Sequence, residues 1–251
     1  MMEKILGLPV LTSVHGAQVD KLIIYVHWLM AVLFVGWFGY FIYALFRFRK
    51  SRNPKADYVG VKNHASTWVE VMVAIVEGLL LFAMAIPYWA MAVDKFPAEK
   101  DATVIRVVAQ QFAWNVRYAG KDGVFGTNRM DLVTALNPLG LDQSDPHTKD
   151  DIQLLNEIHV PVNKEVLVYL SSKDVIHSFK LIAARVTQDA IPGMVIPFHF
   201  LPTKEGKYQI NCAQLCGNGH STMAAGMVFV ESETNYQKWI GSKSGGGANY
   251  E

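Results

Sequence analysis

The sequence predicts a two-helix transmembrane hairpin followed by an all-β sandwich or barrel. Three observations carry that fold class. Two long apolar runs lie in the first hundred residues, with a basic stretch between them. Beyond residue 94, short β-type runs alternate with turn residues. Near the end, the chain's only two cysteines cluster with a histidine and a methionine in Cys212-Ala213-Gln214-Leu215-Cys216-Gly217-Asn218-Gly219-His220-Ser221-Thr222-Met223. The hydrophobic fraction, 51%, is ordinary, so the class follows from where the apolar residues fall. A net charge of +1 gives no general attraction to nucleic acid.

Residues 1–21 form a mixed N-terminal segment. Lys4 and the apolar residues 5–11 faintly match a signal peptide, but Pro9 breaks the run, and the segment reads as lying at the membrane surface. Residues 22–46 hold no Asp, Glu, Lys or Arg, and His27 is their one ionisable group. A bilayer core takes roughly 20 apolar residues as helix, which this run supplies. In the loop 47–62, Arg47, Arg49, Lys50, Arg52, Lys55 and Lys62 face a single acid, Asp57. That asymmetry makes the loop cytoplasmic and places the N-terminus and everything past the second span on the opposite side.

The second span covers about 69–93. Pro87 is tolerated where neighbours satisfy the freed carbonyl. Glu77 sits well inside the span; an intramembrane carboxylate is costly and faces protein or water, so contact with a partner subunit is expected. Glu70, near the cytoplasmic end, reads equally as a solvated interfacial acid or a functional one.

The soluble domain spans 94–241. Strands are expected over 103–109, 152–159, 166–170, 176–182, 207–211 and 225–230, in an antiparallel arrangement. Residues 119–151, rich in Gly, Asp, Asn and Pro, read as a long loop. A short helix is expected over 233–241, and the Gly-rich 242–251 as a flexible tail.

Two thiols, an imidazole and a thioether form a soft donor set that favours copper over magnesium or calcium. Gly217 and Gly219 let the loop fold back tightly. A single blue-copper site would leave one cysteine unused, whereas two bridging thiolates could serve two coppers. A second histidine is needed either way, and His177 at a strand start is the best candidate. A Cys-x-x-x-Cys pair alone would read equally well as a disulfide. Met223 alone would read as core packing, and His159 and His199 are assigned nothing.

These segments resemble subunit II of haem-copper cytochrome c oxidases. The resemblance rests on the two-span hairpin, Gln111-Phe112-Ala113-Trp114, residues 174–179, Asp189-Ala190-Ile191-Pro192-Gly193 and residues 212–223. It implies a cupredoxin-like domain carrying a binuclear CuA centre. Cys212 and Cys216 would bridge the coppers, His177 and His220 would each bind one, Met223 would bind one weakly, and the Gln214 main-chain carbonyl would approach the other. It also implies oxidase subunits I and III as partners, haem held only by the partner, and cytochrome c or a cytochrome c domain of a larger complex as donor. The setting would be membrane lipid, in a bacterial inner membrane with the copper domain on the periplasmic side. Glu70 falls where related chains carry an acid at a proton-channel mouth, which suggests proton uptake.

Departures from the family pattern bear on the details. Many members carry Glu at Gln214, where the acid helps hold magnesium; an amide is a poorer ligand for a hard cation, which puts magnesium in doubt and leaves Asp189 as the acid of that region. Phe112 replaces the Trp through which electrons enter, leaving Trp114 as the candidate, with core packing as its alternative. Residues 94–251 carry 15 Lys plus Arg against 17 acids, too balanced for a strongly acidic dock. No Cys-x-x-Cys-His is present, so no c-type haem is attached. A copper-free quinol oxidase subunit II, a membrane-anchored copper carrier or assembly protein, and a disulfide-stapled sandwich are the competing readings.

Overall fold

The computed structural model describes residues 2–55, 58–60 and 62–243. The chain divides into two compact units, one holding the apolar helices and the other residues Pro9–Ala17 with everything from Met91 onward.

In the first unit, α1 (Met2–Leu6) precedes α2 (Gly16–Arg47). The next helix runs over Ala65–Val93 as α3 (Ala65–Leu80), a π-helical turn (Leu81–Ala85) and α4 (Ile86–Val93). Both spans extend past the expected bounds, because flanking residues such as Asp20 and Lys21 can continue a helix beyond hydrocarbon. The π turn has a local cause. Pro87 lacks an N–H and its ring crowds the preceding turn, and Ile86 N–H bonds Leu81 O five residues back. Large apolar side chains such as Phe34, Phe82 and Trp89 are exposed along these helices, as lipid- or partner-facing surfaces require.

The second unit is a sandwich of two five-stranded sheets. The strands are β1 (Ala102–Gln110), β2 (Ala113–Tyr118), β3 (Ile152–Leu155), β4 (Glu157–Pro161), β5 (Glu165–Ser172), β6 (His177–Leu181), β7 (Val186–Ala190), β8 (Ile196–Phe200), β9 (Gly206–Cys212) and β10 (Met227–Glu231). One sheet has the order β3-β2-β1-β5-β8 and the other β4-β10-β9-β6-β7. Alternating residues of β1, among them Ile105, Val107 and Ala109, meet Phe179, Ile210 and Val228 of the other sheet in one core.

Several expectations are corrected. The sheets are mixed, because β1 pairs with β5 and β10 with β4 in parallel. The run 152–159 breaks into β3 and β4 at Asn156, whose φ of 59° no strand sustains. Strands β2, β7 and β8 were not predicted; polar residues such as Gln188 and His199 interrupt the apolar pattern of β7 and β8. Residues Pro9–Ala17 of the N-terminal segment pack as part of the sandwich unit. Thr12 N–H donates to Ala183 O at 2.9 Å and the Ser13 hydroxyl to Ala184 O at 2.6 Å.

The loop over 119–151 folds onto its own domain. Asp151 accepts from Arg117 Nε at 3.0 Å and from Gly126 N–H at 3.1 Å, a buried clamp at the base of the loop. The final helix, α5 (Glu233–Lys243), runs two residues past the expected end. The rest of the predicted tail lies outside the described residues.

Candidate metal centre

Strand pairing brings the donors together. β6 and β9 run antiparallel with Phe179 opposite Cys212, and Ala213 N–H extends the ladder to Ser178 O at 2.9 Å. His177, first in β6, therefore stands beside Cys212, last in β9. The chain then turns through Gly217, whose φ of +136° suits glycine alone. A 3-10 turn over His220–Ala225 returns His220 and Met223 to the same place. Gly219 has an ordinary φ of −94°, so its role is closeness rather than backbone freedom. An added Cβ there would lie 2.3 Å from the Phe112 ring.

The predicted donors converge. His177 Nδ1 lies 3.1 Å from Met223 Sδ and 4.0 Å from Cys212 Sγ. Cys216 Sγ lies 3.5 Å from His220 Nδ1 and 3.5 Å from Met223 Sδ. Cys212 Sγ is 3.1 Å from the main-chain oxygen of Gln214. The ligand atoms of His177, Cys212 and Cys216 all lie within 4.8 Å of one another. His177 and Met223 are fully buried, and Cys216 nearly so.

These residues fit a copper-type metal group. The two sulfurs are 4.0 Å apart and both thiols are free, whereas a disulfide would need about 2.05 Å. Burial and the neighbouring Cys212 push the Cys216 thiol up to about 11, so two thiolates side by side need cationic charge to hold them ionised. A metal–sulfur bond of about 2.3 Å, the value for zinc, lets one ion reach both sulfurs across that gap.

Two residues that the sequence reading left without a role orient the donors. Asp174 Oδ1 lies 2.9 Å from His177 Nε2, which fixes the proton there and turns the Nδ1 lone pair toward the sulfurs. Burial would raise the Asp174 carboxyl, but hydrogen bonds from Gln111 N–H, the His177 ring and Val175 N–H outweigh it and hold it below its usual range. Gln111 also donates from Nε2 to Cys216 O at 2.7 Å, tying the β1–β2 turn to the donor loop. Both lie in segments already singled out, and an acid three residues before a candidate ligand was the available signal.

The remaining candidates fall elsewhere. Trp114 is fully buried, donates from Nε1 to Met223 O at 3.0 Å, and packs edge-on against Phe179 with ring centroids 5.4 Å apart. It presents no surface to a donor protein; the half-buried aromatic beside the loop is Phe112. Asp189 is exposed on β7 opposite Ser178 and is not among the converging donors. Glu70 is exposed on α3.

Comparison with known proteins assigns the fold to a family. Residues 103–230 match the family described as cytochrome c oxidase subunit II, periplasmic domain. The alternative cytochrome c oxidase subunit 2 of Bradyrhizobium diazoefficiens is 34% identical over 229 residues, 91% of this chain and 81% of that protein. Cytochrome c oxidase subunit 2 of Cereibacter sphaeroides is 29% identical over 221 residues, 82% of this chain and 69% of that protein. The solved periplasmic domain of subunit II of cytochrome oxidase from Bradyrhizobium japonicum aligns at 28% identity with a TM-score of 0.43, over 59% of this chain and 96% of that one. The sandwich is thus a cupredoxin-like domain outside the cytoplasm, and the apolar helices are its membrane anchor. With its soft donors gathered on that domain, the chain belongs to the cytochrome c oxidase subunit II family, components of the haem-copper terminal oxidases.

Proposed function

We propose that this subunit accepts electrons one at a time from cytochrome c at a binuclear copper centre and delivers them to haem in subunit I, where oxygen is reduced to water. The observation that carries the reading is the pair of free thiols 4.0 Å apart, flanked by His177, His220 and Met223. When bound, a copper pair sharing two thiolates supplies a one-electron carrier whose charge is spread over both metals. Cys212 and Cys216 would supply the two thiolates, His177 and His220 the imidazoles, and Met223 with the Gln214 carbonyl the weaker donors that hold such a group. The chain's own contribution is rigidity. Asp174 fixes the His177 ring, Gln111 anchors the Cys216 main chain, and Trp114 holds the Met223 main chain. A donor set held at these three points changes little when charge arrives.

Burial of three donors weighs against a copper carrier, which must release its metal, and free thiols weigh against a disulfide staple. The full set of five side chains weighs against a copper-free quinol oxidase subunit. The setting we infer is a bacterial inner membrane. Glu70 is placed at proton uptake on the cytoplasmic side, and magnesium is left without a carboxylate at position 214.

Elemental analysis and electron paramagnetic resonance of the oxidised, purified oxidase test the reading. Two coppers per chain beyond those of the catalytic subunit are expected, with one unpaired electron shared by two nuclei. A spectrum of one isolated copper, or none at this site, would overturn it.

A further inference from the structure

Glu77 is a carboxyl deep in the membrane anchor that the copper reading leaves unused. At a rise of about 1.5 Å per residue, it lies about 18 Å along the helix from Ala65 and about 24 Å from Val93. It opens onto a groove of about 330 Å³ between the two spans, lined by Val26, Leu29, Met30 and Leu33 of α2 and by Leu80 and Leu81 beyond it. Every other lining residue of that groove is apolar. Among the described residues, no hydrogen bond or ion pair reaches the Glu77 carboxyl.

A second feature lies about one turn further on. Pro87 brings no N–H, and the π turn diverts Ile86 N–H to Leu81, so this stretch of backbone is one donor short. In hydrocarbon no water makes up such a deficit, and a carboxyl there faces protein or a wet cavity. The residues lining the groove offer Glu77 no donor of their own.

We propose that this groove seats a transmembrane helix of another oxidase subunit, one that presents a hydrogen-bond donor or cationic side chain to Glu77. Membership of a subunit family puts other oxidase subunits beside this one. Charge complementarity selects the donor: a lipid acyl chain fills the volume but leaves the carboxyl unpaired. Apolar packing along α2 and the carboxyl bond then act together. The packing gives area, and the bond fixes depth and rotation, as interhelical polar contacts do elsewhere in membranes.

The experiment uses the assembled oxidase with a photo-crosslinking residue at position 80. The expected product joins this chain to a helix of another oxidase subunit that carries a donor at the matching depth. Glu77→Leu should lower recovery of that complex about tenfold, while Glu77→Gln, which keeps an acceptor and a similar shape, should stay close to the parent. Glu77→Leu makes the span more apolar, so its loss cannot be blamed on failed insertion. Crosslinks only to lipid or to a second copy of this chain, or parent-like recovery with Glu77→Leu, would overturn the proposal.

Discussion

The indole N–H of Trp114 donates to the main-chain oxygen of Met223 across 3.0 Å, wholly inside the core. A residue of the first sheet therefore holds the turn that carries two of the metal donors. Replacing Trp114 with Phe keeps most of the packing but strands that carbonyl. We expect a loss of about 1–3 kcal/mol in unfolding free energy, and about 3–5 kcal/mol for Trp114→Ala, where a cavity is added. Denaturant unfolding of the chain in detergent measures both. Equal stability of parent and Trp114→Phe would mean that the bond contributes nothing.

Asp174→Asn tests the orientation of His177. The substitution preserves size but replaces a charged acceptor with an amide, which weakens control of which ring nitrogen carries the proton. Metal affinity should fall by roughly 10–100-fold, read by competition with a chelator, while the apo fold stays intact.

Gly219 and Phe112 form a contact pair. A methyl at 219 would sit 2.3 Å from the ring, so Gly219→Ala must push Phe112 aside. The expected destabilisation is about 1–3 kcal/mol. Adding Phe112→Ala should recover part of it, because the two changes share one contact and cannot be additive. A thermal-unfolding double-mutant cycle decides the point.

The loop over 119–151 should show a defined pH window. Hydrogen bonds from the Thr127 hydroxyl and N–H and from His147 N–H hold the Asp145 carboxyl down at about 2, against an ordinary 3.8. The His147 hydrogen bond likewise holds Asp122 below its usual value, and Asp122 raises His147 above 6.5. The carboxylates bind protons less readily in the folded loop, so their contribution is present above the ordinary value and fades as pH falls toward 2. His147 behaves in the opposite sense: its contribution is present below 6.5 and fades as pH rises through its raised value. Amide protection in the loop, relative to the intrinsic exchange rate, should be greatest between about pH 4 and 6.5. Protection that keeps rising above that range would contradict the His147–Asp122 assignment.

The sequence by itself determined the two spans, the β character of the rest and the identity of the donors. Uninterrupted hydrophobicity, alternation and a soft-ligand cluster are local signals, each readable within a few residues. His177 was reached through its place in a strand start and through the family resemblance. Only the tertiary structure decided what lies between these parts. The parallel pairing of β1 with β5 joins residues about sixty positions apart, and no local pattern states a partner at that range. Gln111 and Asp174 stayed without a role because a hydrogen bond to a distant carbonyl or ring leaves no periodic trace. Aromaticity makes Trp114 visible in sequence as an entry or tunnelling candidate, whereas its burial against the metal donors depends on the strands that fold around it. Residues Pro9–Ala17 joined the sandwich for the same reason: a polar segment takes whatever backbone partners the assembled fold leaves open, here the carbonyls of Ala183 and Ala184.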